Sequence, residues 1–165
     1  MLIDYKLDLA ELEKLIKEYP DISRDVRVGK IQEAVLLLER EIKEKTPVGA
    51  GPIHLRDTIH QKVQVSGARV IGIVGTPLKH GVPVEMGTRP HFPPLGPIQL
   101  WVEKKLGYEG KEAKSVAFLI ARAISKRGTK GREMFGSAFE DNESRLRDIL
   151  GTIPDEIARR AEAVK

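Results

Sequence analysis

The sequence contains four histidines, His54, His60, His80 and His91, and Glu85 lies between the last two. Imidazole and carboxylate groups are metal ligands, but a metal site needs several of them at spacings that bring them together. These histidines match neither the His-x-x-x-His spacing of a helical zinc site nor the spacing of a zinc finger. We therefore predict that they are solvated side chains of loops and of an exposed strand face, without a bound metal.

The serines and carboxylates do not form a catalytic pattern either. A nucleophilic serine on a strained turn would lie in a Gly-x-Ser-x-Gly run, and the sequence has none. Carboxylates occur four residues before lysines, as in Glu39–Lys43 and Glu41–Lys45, a spacing typical of exposed ion pairs on a helix. The chain has no cysteine, which excludes thiol catalysis and thiolate metal ligands. We predict a protein that is not an enzyme and takes no cofactor.

A basic cluster near the end of a predicted helix is a stronger candidate site. It holds five basic residues and no acidic one: Arg122, Lys126, Arg127, Lys130 and Arg132. These cations can follow a phosphate backbone, or they can complement the negative end of a helix dipole in solvent. No aromatic residue lies within the cluster, which gives little support to a base-stacking platform. The net charge of +4 permits an acidic partner but does not require one.

Apolar residues at helical spacing predict most of the chain to be helical. The first helix covers residues 8–19 and is broken by Pro20, and a longer one runs from there to about Lys45, weakened at Gly29. The C-terminal part is predicted to hold helices over 98–106, 111–127 and 133–150, and a last one to about residue 163. Pro97 and Gly107 would open and end the first of these, and Thr152 would cap the last.

Between these helical regions the apolar residues recur at every second position, which predicts a β-hairpin over about residues 57–76. Ile59, Val63 and Val65 share its apolar face, and Ser66-Gly67-Ala68 forms its turn. Six of the ten prolines follow in a long loop over about 76–97, with at most one short strand or helical turn around Val82–Met86. The fold class is therefore α+β, a helical frame packed around a small antiparallel sheet in one domain over residues 1–165. No apolar run is long enough to span a membrane.

Two short motifs, about 30 residues apart, carry a resemblance to a known family. The first is Thr46-Pro47-Val48-Gly49-Ala50-Gly51 with Leu55-Arg56-Asp57-Thr58-Ile59, between an amphipathic helix and a strand. The second is Val84-Glu85-Met86-Gly87-Thr88, followed by Pro90-His91-Phe92-Pro93. In this order they resemble the neck or tail-component family of long-tailed bacteriophages, the small gene-product-ten-like head–tail joining and tail-completion proteins. The resemblance covers roughly residues 10–140.

The resemblance implies a structural virion protein that forms a ring of its own copies at the head–tail junction. Its neighbours would be connector or head-closure proteins on one side and tail terminator or tail-tube proteins on the other, with room for passing contact with genomic DNA. The chain would be made in the host cytoplasm and end in the virion. A basic nucleic-acid-binding module is the alternative, and it would bind in a strongly salt-dependent manner.

The motifs also give candidate residues for subunit contacts, namely Arg56, Glu85, Gly87, Thr88 and Arg89. Arg56 is a forked donor that suits a carboxylate, either on a neighbour or as an internal salt bridge with Glu85. Gly87 is expected to adopt a positive φ or to allow a close backbone approach, and Thr88 to bond locally. We expect the proline-rich segment to dock onto an adjacent subunit, where its free backbone groups would find partners.

Overall fold

The computed structural model describes residues 9–67 and 69–164. Within these ranges the chain forms seven α-helices, one 3₁₀ turn and four short strands that pair as β1–β2 and β3–β4. The α+β class predicted from the sequence is confirmed. Of the helices in the described ranges, none is both long and apolar enough to cross a lipid bilayer. Residue 8, the expected start of the first helix, lies outside the described residues.

The chain divides into two compact units, which are described separately. The first unit contains the described residues of Met1–Arg40, Gln61–Val74 and Phe139–Lys165, and the second contains Glu41–His60 and Gly75–Ala138. Helices α2 and α6 each contribute residues to both units. The expectation of a single domain stays a prediction.

The first unit is built from helices and one hairpin. Its elements are α1 (Leu9–Glu18), most of α2 (Pro20–Lys45), most of β1 (His60–Ser66) and β2 (Arg69–Gly75), most of α6 (Met134–Gly151) and α7 (Ile153–Glu162). Helix α2 continues through Gly29 without a break. Val26 packs with Ile153 and Ile157 of α7 in one apolar cluster, and Leu37 packs with Leu146 of α6 in another. These clusters hold α2, α6 and α7 together.

Thr152 does not cap α7 with its side chain. Its backbone is already helical, with φ −78° and ψ −5°, and its hydroxyl donates to the carbonyl of Ile149 at 2.8 Å. Thr152 thus occupies the expected N-cap position without a side-chain cap, because a capping residue needs extended backbone to turn its oxygen toward the first free N–H groups. Pro154 lies in the first turn of α7.

The β1–β2 hairpin packs one face on α2. A methyl group on Gly72 would overlap the side chains of Val35 and Ile31, so the strand touches the helix directly there. Ile71 and Ile73 alternate with Gly72 and are 43% and 45% exposed on the other face. The wet face predicted for β1 is confirmed, but Val65, expected on the apolar face, is 49% exposed.

The second unit contains the proline-rich segment and a helical hairpin. Its elements are the 3₁₀ turn Leu55–Thr58, α3 (Gly81–Met86), β3 (Gly87–Thr88), α4 (Leu95–Leu106), α5 (Gly110–Arg127) and β4 (Thr129–Lys130). Val102 of α4 is fully buried against Ala113 and Ala117 of α5, whose small side chains let the helices approach closely.

The predicted loop over 76–97 is only partly correct. The helical turn expected around Val82–Met86 is present as α3, and strand β3 follows it. Helix α4 begins at Leu95, before Pro97, because a proline in the first turn has no helical hydrogen bond to lose. Gly107 ends α4 in a left-handed conformation with φ 74°, as its position predicted.

Candidate functional site

The second motif and the basic cluster form one local structure, although they are far apart in the sequence. Gly87 pairs with Lys130 and Thr88 with Thr129 in the short antiparallel β3–β4 ladder. The Oγ1 atoms of Thr88 and Thr129, 41 residues apart in the chain, lie 2.9 Å from each other. The backbone N–H of Thr129 also donates to Thr88 Oγ1 at 3.2 Å. The local bonding expected of Thr88 is therefore wrong, because its hydroxyl bonds to a residue across this ladder and not within its own turn.

Backbone hydrogen bonds extend this ladder toward α6. The N–H of Arg132 donates to the carbonyl of Val84 at 2.8 Å, and the N–H of Glu133 donates to the carbonyl of Glu85 at 3.0 Å. These carbonyls of the proline-rich segment thus have partners inside the chain. The expectation that its backbone groups stay free for a neighbour is wrong for this stretch, since both carbonyls accept hydrogen bonds within the chain.

Three glycines allow the backbone of residues 85–89 to lie directly against the backbone of residues 128–131. A methyl group on Gly87 would overlap the carbonyl of Thr129 and lie 2.7 Å from the nitrogen of Gly131. A methyl group on Gly131 would overlap the carbonyl of Glu85, and one on Gly128 the carbonyl of Thr88. Gly87 has φ 78°, which confirms the positive φ predicted for it. Only glycine fits these positions, because the two backbones are in direct contact.

Glu85 anchors the beginning of α6. Its Oε2 accepts a hydrogen bond from the N–H of Phe135, and its Oε1 accepts one from the N–H of Gly136, both at 3.0 Å. The first N–H groups of a helix have no partner within the helix, and the helix dipole favours a negative charge beside them. The side chain of Glu85 is thus directed inward. Glu85 and Arg56, both described, form no ion pair with each other, so the internal salt bridge considered for them is absent.

The first motif reaches the same turn of α6. The hydroxyl of Thr46 donates to the carbonyl of Ile42 at 2.6 Å and lies 3.2 Å from the sulfur of Met134, the first residue of α6. Thr46 is 4% exposed and Met134 is fully buried, so this contact lies in the core of the second unit. Both motifs therefore meet at the first turn of α6, Met134 through Gly136.

The motifs also contact each other through the residues that flank them. The Oγ1 atoms of Thr58 and Thr76 lie 2.8 Å apart, and Thr58 Oγ1 donates to the carbonyl of Leu55 at the same distance. A methyl group on Gly81 would meet the side chains of Thr76 at 2.8 Å and Leu55 at 3.6 Å. The start of α3 therefore packs tightly on the Leu55–Thr58 turn of the first motif.

The remaining candidate residues face solvent. Arg56 and Arg89 are exposed and form no ion pair with another described residue. The same holds for the basic cluster Arg122, Lys126, Arg127, Lys130 and Arg132. A role of these residues in subunit or phosphate contacts stays a prediction, whereas Glu85, Gly87 and Thr88 have structural roles within the chain.

The histidines are spread over the second unit. His60, His80 and His91 are exposed, and Nδ1 of His91 lies 2.9 Å from the carbonyl oxygen of Arg89. His54 is half-buried, and its buried Nδ1 has no hydrogen-bond partner in the structure. Among the described residues no three histidine, aspartate or glutamate side chains lie together as metal ligands.

The sequence reasoning missed two exposed apolar features. Val82 and Met86 lie one turn apart on α3 and are 63% and 77% exposed; their i, i+4 spacing was the available signal. Phe92 and Phe118 form a ring pair with centroids 6.1 Å apart and planes inclined at 55°. They are 26 residues apart, and no spacing rule pairs an extended segment with a helix at that separation.

No protein-family model matches the chain, and no curated protein or solved structure is significantly similar to it.

Proposed function

We propose that the chain is a structural protein of the head–tail junction of a long-tailed bacteriophage, in the neck or tail-completion position. It assembles there as a ring of its own copies between the head connector and the tail. The observation that carries this proposal is the meeting of both motifs at one helical turn. Thr46 of the first motif contacts Met134, and Glu85 of the second binds the N–H groups of Phe135 and Gly136.

This arrangement fixes α3 and determines which of its side chains face outward. With the carboxylate of Glu85 bound to α6, Val82 and Met86 project into solvent. Apolar side chains that are exposed together on one helix can become buried when the protein associates with a partner. We assign this two-residue apolar surface, Val82 and Met86, to contact with the adjacent copy in the ring.

Arg56 and Arg89 supply the polar part of the same contact. Both are exposed, and a guanidinium can hold a carboxylate through two parallel hydrogen bonds. Polar side chains around an apolar centre are the usual arrangement at a protein interface. Carboxylates of a neighbouring copy are thus the expected partners of these two arginines.

Genetic complementation tests the proposal. A stop codon is placed early in the gene, within the genome that encodes the chain, and variants are supplied from a plasmid. The double variant Val82→Ser/Met86→Ser should fail to restore joined particles, while its purified form melts at a temperature close to that of the wild type. Val164→Ser, which removes a side chain that is 74% exposed elsewhere, is the matched control and should restore them. Full restoration by the double variant would contradict the assigned contact.

A further inference from the structure

The segment after β3 lies along the C-terminal half of α5. At the end of α5, a methyl group on Gly128 would overlap the carbonyl of Thr88 and lie 2.9 Å from the carbonyl carbon of Arg89. Ten residues earlier in the helix, the ring of Phe118 contacts that of Phe92. The segment from Thr88 to Phe92 therefore touches α5 at two points, at the end of the helix and near its middle.

The path of this segment along α5 places aromatic and basic side chains side by side. Phe118, Arg122 and Lys126 follow one another at four-residue intervals, which puts them on one face of α5 in successive turns. Arg89 lies at one of the two points where this segment touches that helix. The basic cluster is therefore adjacent to two phenyl rings in the fold, although no aromatic residue lies within it in the sequence.

The charge on this surface is not neutralised. Arg89, Arg122 and Lys126 are exposed, and none of them pairs with a described carboxylate. Residues 86–97 and 118–132 contain no acidic residue at all. Of the two carboxylates at their borders, Glu85 is bound to the N–H groups of α6, and Glu133 is exposed next to Arg132. The dipole of α5 acts only within its last turn, so it does not account for the cations that lie outside that turn, such as Arg122.

The two rings are half accessible to solvent. Phe92 is 54% and Phe118 48% exposed, although phenylalanine is among the residues most often buried. Aromatic side chains next to exposed cations are the recurring elements of sites for single-stranded nucleic acid, where bases stack on the rings and cations hold the backbone. A duplex presents phosphates but no free base faces, and the carboxylates of an acidic peptide do not stack on a phenyl ring.

We propose that this aromatic–basic surface, formed by Arg89, Phe92, Phe118, Arg122 and Lys126, binds single-stranded nucleic acid. Unpaired bases stack on the two phenyl rings, and the backbone phosphates lie along the three cations. The inference is independent of the head–tail role, since it depends on neither motif-to-α6 contact nor on the Val82/Met86 surface.

Fluorescence anisotropy of a labelled 20-nucleotide oligothymidylate with the full chain tests the site. The logarithm of the binding constant should fall linearly with the logarithm of the salt concentration. The double variant Arg122→Gln/Lys126→Gln should reduce the magnitude of this slope by about 1.4, since each phosphate contact contributes about 0.7. Both side chains are exposed, so folding is not at issue. Phe92→Leu and Phe118→Leu keep apolar packing but remove stacking, and each should weaken binding roughly 5- to 150-fold.

Lys62→Gln on the hairpin and Tyr108→Leu after α4 are the matched controls, and both should bind the oligonucleotide like the wild type. Losses of affinity in these controls as large as those in the site variants would contradict the proposed site. Unchanged binding by both phenylalanine variants, with inorganic polyphosphate competing as well as the oligonucleotide, would overturn the stacking role. Tighter binding of poly-glutamate than of the oligonucleotide would overturn the nucleic-acid assignment in favour of an acidic protein partner.

Discussion

The α-carbon of Gly128 lies so close to Thr88 that a methyl group on it would overlap the carbonyl oxygen of Thr88. Gly128 ends α5 with φ 70°, a conformation that few residues other than glycine adopt. Helix α5 and the second motif are therefore in direct backbone contact at this point. Any side chain here would push the β3–β4 ladder apart.

Gly128→Ala and Gly87→Ala should each destabilise the protein by more than about 1 kcal/mol, because alanine is strained at positive φ and the added methyl group meets backbone. Gly29→Ala is the control. Gly29 lies within α2 with open space around it, so alanine there should stabilise by about 0.5–1 kcal/mol. Urea denaturation monitored by circular dichroism measures all three. A Gly87→Ala variant as stable as the wild type would contradict the direct backbone contact between β3 and β4.

Removing the carboxylate of Glu85 should loosen the start of α6. Glu85→Ala should cost about 1.5–3 kcal/mol, the usual contribution of hydrogen bonds to a charged group, and Glu85→Gln should cost less because its carbonyl still accepts one bond. Amide hydrogen exchange gives a local readout, since the amides of Phe135 and Gly136 should exchange faster in Glu85→Ala. Glu133→Gln, at an exposed carboxylate nearby, should leave those rates unchanged. Unchanged exchange at both amides in Glu85→Ala would contradict the anchoring role.

The cluster between α2 and α7 should dominate the stability of the first unit. Ile157 is fully buried against Val26 and Ile153. Ile157→Ala should therefore lower the free energy of unfolding by about 2–5 kcal/mol, through lost burial and the cavity left behind. Leu36→Ala removes an aliphatic side chain of α2 that is 50% exposed and should change stability by less than about 0.5 kcal/mol. Similar denaturation midpoints for the two variants would contradict the packing of α7 on α2.

Acid should weaken α7 through one carboxylate. Hydrogen bonds from Arg159 and then Arg160 lower the pKa of Glu156 from its usual 4.5 to about 2. Because the folded value lies below the unfolded one, the stabilisation is complete above pH 4.5 and is lost as the pH falls toward 2. Glu156→Gln should remove this part of the pH dependence, whereas Arg24→Gln, at a more loosely paired arginine, should keep it. Thermal melting between pH 2 and pH 6 measures the effect; identical profiles for Glu156→Gln and the wild type would contradict it.

The helices and the hairpin could be predicted from the sequence because each depends on the local spacing of apolar residues and on the prolines and glycines that begin or end it. The central residues of the apolar faces were less well predicted. Leu38 and Ile120 are central in the apolar patterns of their helices, but both are half-buried, and the fully buried positions of α5 are the small residues Ala113, Ala117 and Ala121. Close helix packing favours small side chains, which a hydrophobic pattern ranks below leucine and isoleucine.

The contacts that build the candidate site could not be read from the sequence. Glu85 is 50 residues from Phe135, and its partners are backbone N–H groups, which carry no side-chain signal. The contact of Phe92 with Phe118 likewise depends on how the segment after β3 lies on α5. The sequence did indicate that Gly87 needs a positive φ, because that requirement is local.

The head–tail role is tested most directly by electron microscopy of lysates from the stop-codon genome. The proposal predicts DNA-filled heads and complete tails that are not joined to each other, and joined particles once the wild-type chain is supplied. Joined, infectious particles formed without the chain would contradict the proposal.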